Sequence, residues 1–391
     1  MKKKINLIEI LLLLYFCLGM LKGINIFKYL DYCISLIIQL IVWYDIIKSA
    51  NKVANKQAVI IYMLLMIEIA ILIINFLCFD VPIIKIVNRI LPLISVFGLI
   101  IVDCIKTVNI EKVIRYTKKF YFILGCVLIL NSISYFAFSK AIWRPSIYLG
   151  YRFSGPFYDC NFLSICYSVM LILELFDKEH IIKQRYMYLI VFAICILLGL
   201  SWSAIFITLV ALIFGNMFKG NKIILKQIFL LLIYFLVIVI INFNNIKIQD
   251  EFCGILEKYT SLTETEAIVK YNSFYYRVNA QIKALKLFCK KPLGYGPLQI
   301  VNFIGMDVHN SYVSFIFEMG IIGFLIQITS CLVKKQLSNR DNVLCFYILL
   351  ISFTINIHYS VLYALLLIIL FNNKSEELEN KSEKKENIIC K

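Results

Sequence analysis

Charged side chains are scarce in this sequence, and acidic ones are scarcer than basic ones. Asp, Glu, Lys and Arg supply 16% of the 391 residues, whereas hydrophobic residues supply 61%. A soluble domain has roughly 45–50% apolar residues, and the mean hydropathy here is +0.84. The shortage of charge excludes an ordinary soluble domain. The composition predicts an all-α polytopic membrane protein, for which lipid is the main solvent.

Several patterns that mark common kinds of site are also missing. The 13 cysteines include no C-x-x-C pair and no Cys/His cluster at zinc-ligand spacing. The Gly-x-Gly at 294–296 is not followed by Gly-Lys-Ser/Thr, which argues against a nucleotide-binding loop. No Asp-x-Asp occurs in the segments predicted to face outward, so the sequence demands no metal, and no cofactor is predicted. No small-x-small cleavage site follows the first apolar run, which indicates a retained helix.

Apolar runs of about 20 residues predict membrane-spanning helices. The last run is too long for one helix and is interpreted as a pair around Asn356-Ile357-His358. The sequence therefore predicts about twelve transmembrane helices, with eleven as the alternative. In chain order, the runs are 5–21, 29–47, 58–79, 83–102, 120–138, 160–176, 186–199, 201–218, 225–242, 311–332 and 343–371.

Basic residues fall mainly on one set of alternate short loops. Because Lys and Arg in short loops resist translocation, this set is predicted to be cytoplasmic, together with both termini. The net charge of +16 follows from that topology, and nucleic acid is not predicted as a partner. The basic loops are 48–56, 106–119, 178–185, 219–226 and 334–340.

The predicted topology divides the chain into four parts. Residues 1–242 form the first part of the transmembrane bundle, and 243–308 form one large extracytoplasmic loop. Residues 309–371 form the C-terminal transmembrane helices, and 372–391 form a charged cytoplasmic tail. Long loops cross the membrane largely regardless of their charge. In so apolar a chain, the long polar loop is where water-phase chemistry is predicted.

An amphipathic helix is predicted within the loop, from Ser273 as its N-cap to Lys290. Arg277 lies in its first turn, directly after Phe274-Tyr275-Tyr276. A guanidinium among aromatic rings suits phosphate binding. Lys283 belongs to a lysine stripe that either binds substrate or lies on anionic lipid headgroups. Two cysteines of the loop are able to pair in an oxidising compartment: Cys253 and Cys289.

His309-Asn310 ends the loop, at the predicted outer mouth of the next span. An imidazole there is a candidate general base near neutral pH. An interfacial histidine without chemical function is the alternative. Glu318 follows on the same helix, and Glu68 lies near the middle of the third span, where a charge is expensive and usually functional. The sequence assigns neither glutamate a role.

A spacing pattern extends from this histidine into the following helix. His309-Asn310 is followed after nine residues by Gly320, and after two more by Gly323. Here the chain resembles the O-antigen ligase and polymerase superfamily, the Wzy and WaaL type of integral membrane glycosyltransferases. The match is to that family's H-N-x9-G-x-x-G pattern.

Two further passages carry the same resemblance. Arg277 and its helix run into Pro292-Leu293-Gly294-Tyr295-Gly296, which is similar to the family's arginine, amphipathic helix and glycine turn. Arg152-Phe153-Ser154-Gly155 with Asn161 is similar to the family's Arg-x-x-Gly motif before a span. Residue-level likeness is confined to about 152–161 and 277–323, while the likeness in topology covers the chain.

The resemblance implies a metal-independent glycosyltransferase that uses a polyprenyl-diphosphate-linked glycan as donor. It implies His309 as the base that takes a proton from the acceptor hydroxyl. It implies Arg277 and Arg152 as cations that stabilise the diphosphate leaving group. For the tyrosines among the predicted substrate-binding residues, an interfacial aromatic belt is the alternative. The predicted substrate-binding residues are Tyr276, Tyr295, Asn310, Tyr312 and Lys283.

The leading hypothesis is a polymerase that joins lipid-linked repeat units of a surface polysaccharide on the outer face of the bacterial cytoplasmic membrane. The alternative within the same chemistry is a ligase that transfers a lipid-linked glycan to another acceptor. The alternative from another class is a flippase or transporter of the same lipid-linked sugars, for which an internal repeat and broken helices are typical. Predicted partners are the polyprenyl-diphosphate-linked oligosaccharide, membrane lipids and other polysaccharide-assembly proteins.

Overall fold

The structure of the protein is a computed structural model. The structure describes residues 6–24, 27, 29–48, 62–63, 65–67, 69–70, 72–74, 77, 83–99, 102, 108–145, 152–177, 182–215, 264–296, 299–332, 338–354 and 360–371.

The regular structure of these described ranges is helical, and they contain no β-sheet. This confirms the predicted all-α class. The helices are α1 (Leu7–Leu18), α2 (Leu30–Lys48), α3 (Ile83–Phe97), α4 (Ile110–Phe138), α5 (Cys160–Leu175), α6 (Ile182–Gly199), α7 (Trp202–Phe214), α8 (Glu264–Lys290), α9 (Ile300–Ile304), α10 (Ser311–Leu332), α11 (Asn339–Ile351) and α12 (Val361–Phe371).

Most predicted spans coincide with a helix within a few residues. The 343–371 run forms two helices, α11 and α12, on either side of the predicted break. Among the described residues, α4 alone is both long enough and apolar enough to cross a membrane. The predicted span 225–242 lies outside the described residues, as do Glu68, Cys253 and the tail 372–391.

Helix α8 begins earlier than the sequence pattern indicates. It starts at Glu264, so Ser273 lies inside the helix and the predicted N-cap is wrong. The preceding stretch Glu264-Thr-Glu-Ala-Ile-Val-Lys is rich in residues that form helices well. Serine favours caps only where the chain is not already helical, so continuous helix overrides the capping preference.

Ion pairs gather at the start of α4. Lys112 is paired with Glu9 of α1 at 2.8 Å, and Glu111 receives two hydrogen bonds of 3.0 Å from Arg340 of α11. The buried Lys118 donates to Glu174 of α5 at 2.7 Å and also to Asp177. These pairs bring the segments near residues 9, 111, 174 and 340 to one end of the bundle, called here the basic end. Three of these segments border loops that the sequence groups on one side.

The opposite end is built by loop segments that hold one another through backbone hydrogen bonds. Gly23 N–H donates to Pro156 C=O at 3.0 Å, and Phe153 N–H donates to Leu198 C=O at 3.0 Å. Ser311 N–H donates to Ser352 C=O at 2.8 Å. This end, called here the site end, therefore contains the segments around Arg152 and His309.

Helix α10 is interrupted at Gly320, whose φ of 69° and ψ of −161° are not helical. The turn 292–296 lies against this interruption. Tyr295 N–H donates to Phe317 C=O at 2.8 Å, and Gly296 N–H donates to Glu318 C=O at 3.0 Å. In return, Ile321 N–H donates to Pro292 C=O at 3.0 Å. The turn therefore supplies partners for backbone groups that the interruption releases.

Candidate active site

Arg152 is fixed at the site end by two helices. Its Nε donates to Gly199 C=O at the last residue of α6, at 3.1 Å, and its Nη2 donates to Asn161 Oδ1 of α5, at 2.9 Å. A carbonyl at a helix C-terminus carries partial negative charge, which favours a cation there. Asn161 is itself held because Asp159 caps α5, accepting from the N–H groups of Asn161 and Phe162 at 2.6 and 3.0 Å. Two oxygen acceptors thus orient the guanidinium.

Arg277 reaches the same region from α8. It lies one turn before Gln281, and residues four apart share a helix face. Gln281 Nε2 donates to Val308 C=O at 3.2 Å, which ties this face of α8 to the segment directly before His309. Behind it, α8 packs against α9 and α10 through an apolar cluster of Ala280, Ala284, Ile300, Val308, Val313 and Phe317. Arg277 and His309 therefore belong to one packed unit.

His309 is half-buried and has a positive φ of 49°. A non-glycine residue in the left-handed region is uncommon and is held there by its surroundings. The side-chain amide of Gln281, the capping of α10 and the hydrogen bond from Ser311 N–H to Ser352 C=O fix the chain on both sides. Backbone strain of this kind clusters at functional sites.

The surroundings of His309 favour the neutral form of its imidazole. Partial burial lowers its pKa most, because desolvation disfavours the charged ring, and the positive charge of Arg277 lowers it further. Asp307 and Asp159 act in the opposite direction. A neutral imidazole near pH 7 is able to accept a proton.

Arg277 interacts electrostatically with the same groups. Loss of hydration lowers the pKa of its guanidinium, although part of the side chain is exposed, and the like charge of Arg152 lowers it further. Asp159 and Asp307 raise it. Two arginines, two aspartates and His309 thus lie within electrostatic range of one another. These groups come from separate passages of the chain, and two of the three catalytic candidates are drawn together through packing of α8 on α10.

The sequence patterns miss both aspartates. Asp307 lies two residues before His309, and Asp159 lies two residues before Asn161. A polar side chain directly before a helix is a common N-cap signal, which would have singled out Asp159. Within the described residues, neither the Arg277 nor the His309 side chain makes a hydrogen bond or ion pair, so both are available to a ligand.

Two of the predicted substrate-binding residues are exposed near Arg277. Tyr276 is 59% exposed, and its ring lies 6.3 Å from that of Tyr275. Lys283 is exposed on the same helix. Both remain predictions for substrate contact.

The other three predicted substrate-binding residues are placed in the framework of the site. Asn310 is fully buried, and its Oδ1 accepts from Val313 N–H at 3.1 Å at the start of α10. Tyr312 is buried and donates to Leu349 C=O at 3.2 Å. Tyr295 stacks on Phe317 with ring centroids 4.9 Å apart and donates to Leu287 C=O at 3.1 Å. In this arrangement they position the backbone, and substrate contact by them remains a prediction.

In the described part of the chain, no group of three His, Cys, Asp or Glu side chains is arranged to hold a metal ion. Cys289 is an exposed free thiol, while its possible partner in sequence lies outside the described residues. Glu318 is buried beside the interruption of α10.

A scan against models of protein families and a search of curated proteins gave no match for this chain. The site's own residues are a histidine in a strained backbone, Arg277 within electrostatic range of it, and Arg152 within electrostatic range of Arg277, at one end of a helical bundle.

Proposed function

We propose that this protein is a polytopic membrane glycosyltransferase that joins polyprenyl-diphosphate-linked oligosaccharide repeat units on the outer face of the bacterial cytoplasmic membrane. The observation that carries the proposal is the grouping of Arg152, Arg277 and His309 at the site end. Arg152 lies 125 positions before Arg277, and Arg277 lies 32 positions before His309, so folding groups side chains that are distant in the chain. In this proposal the basic end and both termini face the cytoplasm.

His309 acts as the general base. The acceptor sugar hydroxyl gives its proton to the neutral imidazole while its oxygen attacks the anomeric carbon of the donor. The bond between that carbon and the diphosphate oxygen breaks, and the electron pair leaves with the polyprenyl diphosphate. The imidazolium then returns its proton to water or to the diphosphate.

Arg277 and Arg152 stabilise the departing diphosphate. Its negative charge grows as the glycosidic bond forms, and fixed cations stabilise that charge without reorganising. A planar guanidinium binds two phosphate oxygens at once. Arg152 is already oriented by Gly199 and Asn161, so its remaining N–H donors point in a fixed direction.

The transporter hypothesis is favoured by one observation, the interruption of α10 at Gly320. Broken helices expose carbonyl oxygens to ions in many transporters. Here Phe317 C=O and Glu318 C=O accept from the turn 292–296, so the turn occupies them. The interruption therefore serves docking of the loop, and the enzyme remains the better-supported proposal.

The experiment that tests the proposal follows the lipid-linked glycans of cells with the gene intact or deleted. Single repeat units stranded on the outer leaflet of the deletion strain would establish a polymerase. Finished long chains stranded on their lipid carrier would indicate the ligase. Repeat units trapped on the cytoplasmic leaflet would overturn the enzyme and establish the transporter.

The pH dependence of transfer provides a second test. A base works only when unprotonated, so the rate is expected to fall as pH drops through the pKa of His309, below the ordinary value of about 6.5. Asp307 raises that pKa. In Asp307→Asn, the fall in rate at acidic pH is therefore expected to occur at a lower pH than in the wild type. The measurement is the initial rate against pH with purified protein and lipid-linked donor. A fall that moves to higher pH contradicts the assignment.

A further inference from the structure

A cleft lies between α4 and α6 at the basic end, far along the bundle from His309. It encloses about 620 Å³. Arg115, Tyr116, Lys119 and Phe122 line it from α4, where this spacing of three to four residues defines one helix face. Met187 and Tyr188 line it from α6. The ring of Tyr188 stacks on that of Phe122 at 4.2 Å and closes the cleft on one side.

The cleft has cations at one end and apolar surface at the other. Arg115 and Lys119 are exposed, and Lys119 makes no hydrogen bond or ion pair within the described residues. Farther along both helices the exposed side chains are apolar, so the cleft continues as a hydrophobic strip. The strip comprises Ile123, Val127 and Leu130 of α4 and Ile190, Ile194 and Leu197 of α6.

Nearby acidic groups are already engaged. Glu9 is paired with Lys112, and Glu174 receives the hydrogen bond of the buried Lys118. The cleft therefore presents the positive charge of Lys119 to a ligand, beside the exposed Arg115. A soluble anion needs only the cations, whereas this cleft adds a stacked aromatic wall and an apolar strip along α4, a helix whose length and composition suit a membrane span.

We propose that the cleft binds an anionic phospholipid. The phosphate lies between Arg115 and Lys119, and an acyl chain follows the apolar strip between α4 and α6. Basic clefts between helices at the cytoplasmic side suit such headgroups. This site is independent of the chemistry at His309, and it places an inner-leaflet lipid on the basic end of the bundle.

The test measures lipid binding to the full-length protein in neutral detergent by native mass spectrometry. Phosphatidylglycerol is titrated against phosphatidylcholine with the same acyl chains. Arg115→Gln/Lys119→Gln is expected to weaken phosphatidylglycerol binding roughly thirtyfold, from about 1 kcal/mol for each basic residue and tenfold for each 1.4 kcal/mol. The matched control is Lys140→Gln/Arg144→Gln, which removes two exposed charges near the site end and is expected to leave binding unchanged.

Three outcomes overturn the proposal. They are equal binding of the two lipids, equal weakening by both double variants, and displacement of phosphatidylglycerol by millimolar inorganic phosphate, which would assign the cleft to a soluble anion. Thermal unfolding checks that the variants are folded. If the double variant unfolds, Lys119→Gln alone decides the question, because this side chain supports no described contact; a severalfold weakening is expected.

Discussion

His309→Asn is expected to lower the rate of glycan chain extension by about 10²–10⁴, the usual contribution of a positioned general base. Asparagine tolerates the left-handed backbone that His309 adopts, so this variant removes the proton acceptor and retains the local geometry. The measurement is the initial rate of chain extension by purified protein in detergent, with lipid-linked repeat units as the only substrate. Detergent abolishes any transport readout, so product formation reports chemistry alone.

The control for this experiment is His180→Asn. His180 belongs to a loop predicted to face the cytoplasm, and its replacement is expected to leave the rate within about twofold. If His309→Asn extends chains at the wild-type rate, His309 is not the base, while the rest of the proposal stays in place. Binding of the donor, measured separately, is expected to survive in His309→Asn and to weaken in Arg277→Gln, because the proposed function assigns the arginine to the diphosphate and the histidine to the acceptor.

Gly320→Ala is expected to destabilise the protein by about 4 kcal/mol, from backbone strain and overpacking of 1–3 kcal/mol each. Its φ is 69°, and an added Cβ would lie 2.2 Å from Pro292 O. That atom is backbone of the docked turn, so the turn has to leave the interruption of α10. The expected result is a lower midpoint of thermal unfolding, together with a loss of chain extension, because Arg277 and His309 share the unit that the turn holds.

Gly305→Ala separates the cost of backbone strain from the cost of overpacking. Gly305 has a φ of 88°, but nothing lies within 4 Å of the Cβ it would gain. Its substitution therefore costs only the left-handed conformation, about 1–2 kcal/mol. If Gly305→Ala destabilises the protein as much as Gly320→Ala does, the close approach of the turn to α10 contributes nothing and the interpretation of the interruption is wrong.

Sequence patterns predicted most helix positions because each apolar run has to be buried in protein or lipid, and its length limits the helix. They also predicted that residues near 112, 174 and 340 share an end. They failed at the start of α8, since Ser273 carries a capping preference whether or not helix already precedes it. Serine does favour helix N-caps, but the helix-forming residues before Ser273 continue the helix through it.

The site was predictable only as separate motifs. Resemblance selected Arg152, Arg277 and His309, but the proximity of Asp159 to Arg277 and His309 depends on contacts between distant parts of the chain, which local patterns do not carry. The roles of Tyr295 and Tyr312 illustrate the same limit. An aromatic ring suits sugar stacking and core packing equally well, and only the contacts with Phe317 and Leu349 show which surface each ring uses.

Because the turn 292–296 docks on the interruption of α10, the two arginines are held by different sets of helices. Arg277 moves with α8, because the turn 292–296 and Gln281 fasten that helix to α10, whereas Arg152 is fastened to α5 and α6. A diphosphate bound by both guanidiniums would link the α8–α10 unit to the α5–α6 pair. Donor binding and the association of these two parts of the protein are then thermodynamically linked, so each stabilises the other by the same free energy.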